Sequence, residues 1–110
     1  MITSEILLED PGLIDLIDKF MARLPVMRDS INLANSEKND EEFSNLIHQL
    51  KGVGGGYGYP MLTKVCSAIE EQIKNDATEN VIALLQEFNA MCENILAGSD
   101  ENHKIAEANS

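Results

Sequence analysis

The stretch HQLKGVGGGYGYP, from His48 to Pro60, gathers the residues whose types and spacing could do chemistry. A histidine is followed three positions later by Lys51, and then by Gly52, Gly54, Gly55 and Gly56. A neutral imidazole carries a free nitrogen lone pair, and histidine is an accepted covalent carrier in nucleophilic catalysis. The unperturbed pKa of histidine is about 6.5, so an exposed ring is largely in that neutral form above pH 7. Transfer of a phosphoryl group asks little covalent work of a protein beyond in-line positioning and cations near the equatorial oxygens. Lys51 can supply one such charge along the helix surface.

The glycines need a reason. Each glycine inside a helix is unfavourable by about 1 kcal/mol relative to alanine, so four of them imply about 3–4 kcal/mol if a helix runs through. Phe43, Leu46, Ile47 and Leu50 form one apolar face at helical spacing, and at roughly 100° per residue His48 lies about 150° from its centre. The imidazole is therefore expected to face outward. Ser44 falls one turn before it, Gly52 one turn after and Gly55 two turns after, so its flank is small; Lys51 stands on the edge of the exposed strip. Gly52 and Gly55 would clear an approach for a second macromolecule. Gly54 falls on the inward face, where it would let a neighbouring helix come close.

The elements that must position these residues are helices. Asp10-Pro11 reads as a helix opening, with a capping carboxylate before a proline at the first helical position. Leu13, Leu16, Ile17, Phe20 and Leu24 then form a stripe, and Pro25 predicts a break or kink near Leu24. A second piece carries Met27, Ile31 and Ala34, and Asn35 to Asp40 reads as a loop. Asn39 with Glu42 forms a capping-box-like start for the histidine-bearing helix. After the turn Tyr57-Gly58-Tyr59, Pro60 opens a helix with Leu62, Val65, Cys66, Ile69 and Ile73 on one face. Asp76 with Glu79 offers a cap for the last stripe, Val81 to Ile95, and Gly98 is placed to end it. The fold class expected is all-α: an antiparallel four-helix bundle with an additional short N-terminal helix. Residues 1–98 would form the bundle, and residues 99–110 a polar, disordered tail.

Bulk properties exclude several function classes. The chain has 110 residues, a formal charge of −11, 44% apolar residues and 5% aromatic. One domain with a core of Leu, Ile, Val and Met suits these values. Its few basic residues are scattered, which argues against nucleic acid and anionic membranes as partners. No apolar run is long enough for a membrane span, and no signal peptide is read, so a cytoplasmic protein is expected. Cys66 and Cys92 fall on apolar faces without a CxxC partner and are expected as buried, reduced thiols. A nucleotide loop at GVGGGYG lacks a preceding strand and a following Gly-Lys-Ser/Thr. Metal binding through His48, His103 and the cysteines has no supporting ligand spacing. A helical adaptor that is never phosphorylated stands as the alternative function.

The pattern H-x-L-K-G-x-x-G-x-x-G, here His48, Leu50, Lys51, Gly52, Gly55 and Gly58, resembles the signature of histidine-containing phosphotransfer domains. The likeness spans about Leu13 to Lys74, including Phe20–Pro25 and Leu62–Ile69. The resemblance implies a relay component in which His48 accepts a phosphoryl group from the aspartyl phosphate of a response-regulator receiver domain and passes it to another. It implies partners of that kind, a hybrid sensor histidine kinase among them, and a stoichiometric carrier without ATP binding or autokinase activity. It places phosphate stabilisation on Lys51, and docking on the glycines, Gly58 included. Magnesium would sit on the receiver, leaving this chain without metal or cofactor, and the chain would be a monomer. The family's polar residue on the helix after the histidine falls here at Glu70, which could accept the Nδ1 proton of His48; Lys74, one turn on, would offset its charge.

Overall fold

The computed structural model describes every residue from Met1 to Ser110. Five α-helices follow one another: α1 (Ile14–Ser36), α2 (Asp40–Gly54), α3 (Pro60–Lys74), α4 (Thr78–Ala97) and α5 (Ser99–Asn109). Two short 3-10 turns, Glu5–Leu8 and Pro11–Leu13, lead into α1, and a third, Gly55–Tyr57, extends α2. There are no strands. Short loops make successive helices antiparallel neighbours: α1 packs on α2, α2 on α3 and α3 on α4, and α4 returns beside α1. The four-helix bundle is thus as expected, with 3-10 turns as its extra N-terminal piece.

Each helix buries its apolar stripe in one core. Ile17, Phe20, Leu24 and Ile31 come from α1; Phe43, Ile47 and Leu50 from α2; Leu62, Cys66 and Ile69 from α3; Phe88, Cys92 and Ile95 from α4. Leu16, read as part of the α1 stripe, is instead exposed. Both cysteines are free and buried, and burial pushes each thiol up to about 12, so neither carries appreciable thiolate at neutral pH.

Local signals explain most boundaries. Asp10 accepts a hydrogen bond from the Gly12 amide at 3.2 Å, and Pro11 begins the 3-10 turn that runs into α1. Asn39 caps α2 by accepting from the Glu42 amide at 3.3 Å. Gly58, at φ 85°, makes the left-handed turn after α2, and Pro60 is the first residue of α3.

Three expectations are corrected. Pro25 does not break α1, which runs through it as a single helix. A mid-helix proline costs about 3 kcal/mol, but buried residues on both sides of it, Met21 and Leu24 before and Ile31 and Ala34 after, bind both halves to one core. Asp76 does not cap α4. It lies at φ 52° in the left-handed turn that ends α3, where its amide donates to the Ile73 carbonyl, and the N-cap position passes to Ala77. The segment beyond Ser99 is not a disordered tail: it forms α5, with Asn102 and Ala106 buried against the rest of the chain.

Candidate functional site

Helix α2 presents His48 outward, its side chain 72% exposed. Across the groove, α3 presents Glu70, whose side chain is only 20% exposed and whose Oε2 lies 2.9 Å from His48 Nδ1. The other carboxylate oxygen, Oε1, lies 2.9 Å from Lys51 Nζ. One carboxylate thus bridges the two residues that the α2 spacing brings together.

The protonation pattern follows. The Lys51 ammonium beside Glu70 holds its carboxyl below the usual carboxylate range; partial burial opposes this, and the hydrogen bond with His48 adds to it. An ionised carboxylate can only accept, so the Nδ1 facing it must carry the proton. In the neutral imidazole the lone pair then resides on Nε2, the nitrogen not engaged by Glu70. His103 is arranged the other way round: its Nε2 lies 2.9 Å from both oxygens of Asp18, tying α5 to α1. Of the two histidines, only His48 leaves Nε2 unpaired.

Lys51 is held at both ends. Its ammonium meets Glu70, and its carbonyl accepts a hydrogen bond from Thr63 Oγ1 at 3.0 Å. The same hydroxyl accepts from the Gly55 amide at 2.9 Å. Thr63 and Glu70 are seven residues apart on α3 and so share a face, one gripping the backbone of the α2 end and the other gripping its side chain. Nothing in the sequence marks Thr63. A threonine one turn ahead of a buried cysteine reads as ordinary helix surface, and only the inter-helix register reveals its partners.

The glycines divide into two groups. A Cβ at Gly52 or Gly56 would meet nothing within 4 Å, and one at Gly55 would make only ordinary contact with Thr63. These three leave a bare strip along α2 beyond His48, and Gly56 joins the pair expected there. Gly54 is buried, and a Cβ on it would stand 3.0 Å from Thr63 Oγ1 and 3.3 Å from Leu62 Cβ, which is the close helix approach expected for it. Gly58, expected in the docking surface, is buried in its turn against Ser4, Glu5 and Ile6. Its motif position serves the backbone.

Ser44, one turn before His48, is half-buried. Lys74 makes no ion pair within 4 Å; being at the last residue of α3, it leaves the Glu70 charge to Lys51. From Phe43 to Ile69 the chain has no Asp or Glu, although it carries 19 of them. The bare strip therefore belongs to the longest acid-free run of a strongly acidic chain, and the carboxylate that faces His48 and Lys51 is that of Glu70, from α3. No three His, Cys, Asp or Glu side chains are gathered as a metal ion would need. No helix is long and apolar enough to cross a membrane.

An outward histidine stands on the second helix of a four-helix bundle, with a polar partner on the third and a glycine strip beyond it. The family model described as Hpt domain matches residues 15–98, and the chain belongs to that family. Histidine phosphotransfer within a phosphorelay is the activity that membership implies. No match to the chain was found among curated proteins or solved structures.

Proposed function

We propose that this protein is a phosphorelay intermediate whose His48 takes a phosphoryl group from the aspartyl phosphate of one receiver domain and gives it to the aspartate of another. The observation that carries this reading is the state of the imidazole: exposed, engaged at Nδ1 by Glu70, and open at Nε2 beside a strip of bare glycine backbone.

The step balances as a displacement at phosphorus. The Nε2 lone pair forms the P–N bond as the P–O bond to the receiver's aspartate breaks, and the aspartate departs as a carboxylate. The proton on Nδ1 stays there. The ring becomes formally cationic, and the Glu70 oxygen 2.9 Å away goes on accepting the Nδ1 hydrogen bond, which holds the ring and its proton in place through the step. Lys51 is assigned to the phosphoryl oxygens: once phosphate is attached, the ammonium can share itself between Glu70 and the new dianion. Gly52, Gly55 and Gly56 admit the partner's surface. The magnesium ion is assigned to the receiver, and this chain is proposed to be a monomeric, cytosolic, stoichiometric carrier with no nucleotide site. Its upstream donor is proposed to be the receiver domain of a hybrid sensor histidine kinase.

Incubation with a phosphorylated receiver domain tests the reading. The chain is expected to gain an acid-labile, base-stable phosphate, and His48→Gln to abolish it while circular dichroism and thermal unfolding stay unchanged. Equal labelling of the variant would overturn the assignment and leave a helical adaptor as the better description.

A further inference from the structure

The two fully buried polar residues of the chain, Ser4 (2% exposed) and Asn102 (0%), both lie outside the family match, at opposite ends of the sequence. They meet in space. Asn102 Oδ1 accepts from the Ser4 amide at 2.9 Å, and Asn102 Nδ2 donates to the Tyr59 hydroxyl at 3.0 Å. Ser4 Oγ donates to the Tyr57 carbonyl at 2.6 Å, and the Glu5 amide donates to the Gly58 carbonyl at 2.9 Å. Each of the three successive residues Tyr57, Gly58 and Tyr59 thus receives a hydrogen bond from a chain end. No buried side-chain polar atom is left unpartnered.

We propose that the N-terminal segment and α5 form a clasp on this turn, with Ser4 and Asn102 as positioning residues for the docking face; the proposal rests on the phosphorelay reading above. The physical need for a clasp comes from the strip itself. Gly52, Gly55 and Gly56 have the largest conformational freedom to lose, and at Gly52 and Gly56 there is open space where a side chain would pack. Beyond the helical hydrogen bonds of α2 and the 3-10 turn, the strip is held from its ends. Thr63 fixes one end through Gly55 and Lys51. The other end is the Tyr57–Tyr59 turn, pinned by the clasp and stacked on Phe20, whose ring lies 4.6 Å from that of Tyr57 and 5.8 Å from that of Tyr59. A partner that docks only on the ordered strip loses apparent affinity in proportion to the fraction of molecules in which the strip is disordered.

Asn102→Ala and Tyr59→Phe break the same hydrogen bond from its two sides, the second keeping the ring stack. Initial rates with a phosphorylated receiver, measured against receiver concentration, separate KM from kcat. Phosphoramidate, a small donor that needs no docking, reports His48 reactivity alone, and amide hydrogen exchange reports order at Gly55–Tyr59. KM is expected to rise in both variants, by up to about fivefold in Tyr59→Phe, which loses one hydrogen bond, and by more in Asn102→Ala, which also loses the bond from the Ser4 amide, with kcat and phosphoramidate labelling within about twofold of the parent. Exchange at Gly55–Tyr59 should quicken. Unchanged KM in a folded variant would overturn the clasp, and so would a parallel fall in phosphoramidate labelling, which would place the effect on the imidazole. Should Asn102→Ala fail to fold, Tyr59→Phe decides alone. Failure of the parent protein to take phosphate on His48 from either donor would instead contradict the phosphorelay reading itself.

Discussion

His48 Nδ1 and Glu70 Oε2 face each other at 2.9 Å across the α2–α3 groove, one side chain mostly in solvent and the other mostly out of it. The pairing fixes both the tautomer and the direction of the ring. Replacing Glu70 by Gln keeps an oxygen that can accept the Nδ1 proton, so most of the transfer rate should survive. Glu70→Leu removes the acceptor and should slow transfer about tenfold, the lower end of what losing the partner that orients a functional histidine costs. Rates from one phosphorylated receiver to the two variants make the comparison. Similar losses in both would mean that charge, and not the acceptor, is what Glu70 contributes.

The same carboxylate predicts a pH dependence of stability. Its folded-state pKa is lowered, chiefly by Lys51, so its contribution is present above the unfolded value of about 4.3 and is lost as pH falls through the lower folded value. Urea unfolding should find the parent more stable than Glu70→Gln at pH 7, by no more than about 1 kcal/mol for a partly exposed pair. The advantage should shrink by pH 3. A gap that is constant or grows on acidification would contradict the assigned direction.

Lys51→Ala separates chemistry from stability. Its side chain is more than a third exposed, so the stability change should lie within about 1 kcal/mol. Transfer rate or phosphohistidine lifetime should fall by about tenfold or more if that charge meets the phosphoryl oxygens. A variant with normal transfer and normal lifetime would confine Lys51 to the Glu70 pair.

Gly52 and Gly54 should respond in opposite ways to substitution. Gly52→Ala adds a Cβ in open space and should stabilise by about 0.5–1 kcal/mol. At Gly54 the new Cβ would press on Thr63 Oγ1, which two hydrogen bonds hold in place and which cannot easily yield. Gly54→Ala should therefore destabilise, by about 1 kcal/mol after its gain in propensity. Gly52→Leu should keep the fold and slow transfer from a receiver, because bulk would stand on the approach to His48. Thermal unfolding and transfer rates read all three.

Much of the site was legible because helical periodicity is a strong signal over α2. The outward direction of His48, the bare flank at Gly52 and Gly55, and the inward place of Gly54 all follow from 100° steps. Glu70 required the family pattern, since periodicity places it on α3 without stating which residue of α2 it meets. Thr63 escaped for the same reason. Pro25 misled because a local rule was overridden by burial on both sides of it. Asn102 misled more deeply: polar composition reads as exposure, whereas this amide is buried with both ends satisfied by Ser4 and Tyr59, partners 98 and 43 positions away. Hydrogen bonds of that sequence separation leave no local trace. Gly58 shows that one motif can serve two purposes, with its outer members exposing backbone and its last member turning the chain.

The atom that carries the phosphate is the most direct point of decision. Nuclear magnetic resonance of the uniformly nitrogen-15-labelled chain after phosphorylation by a receiver should place phosphorus on Nε2 of His48 and leave the proton on Nδ1. Phosphate on Nδ1, on His103, or on no histidine would contradict the mechanism built on the Glu70-anchored ring.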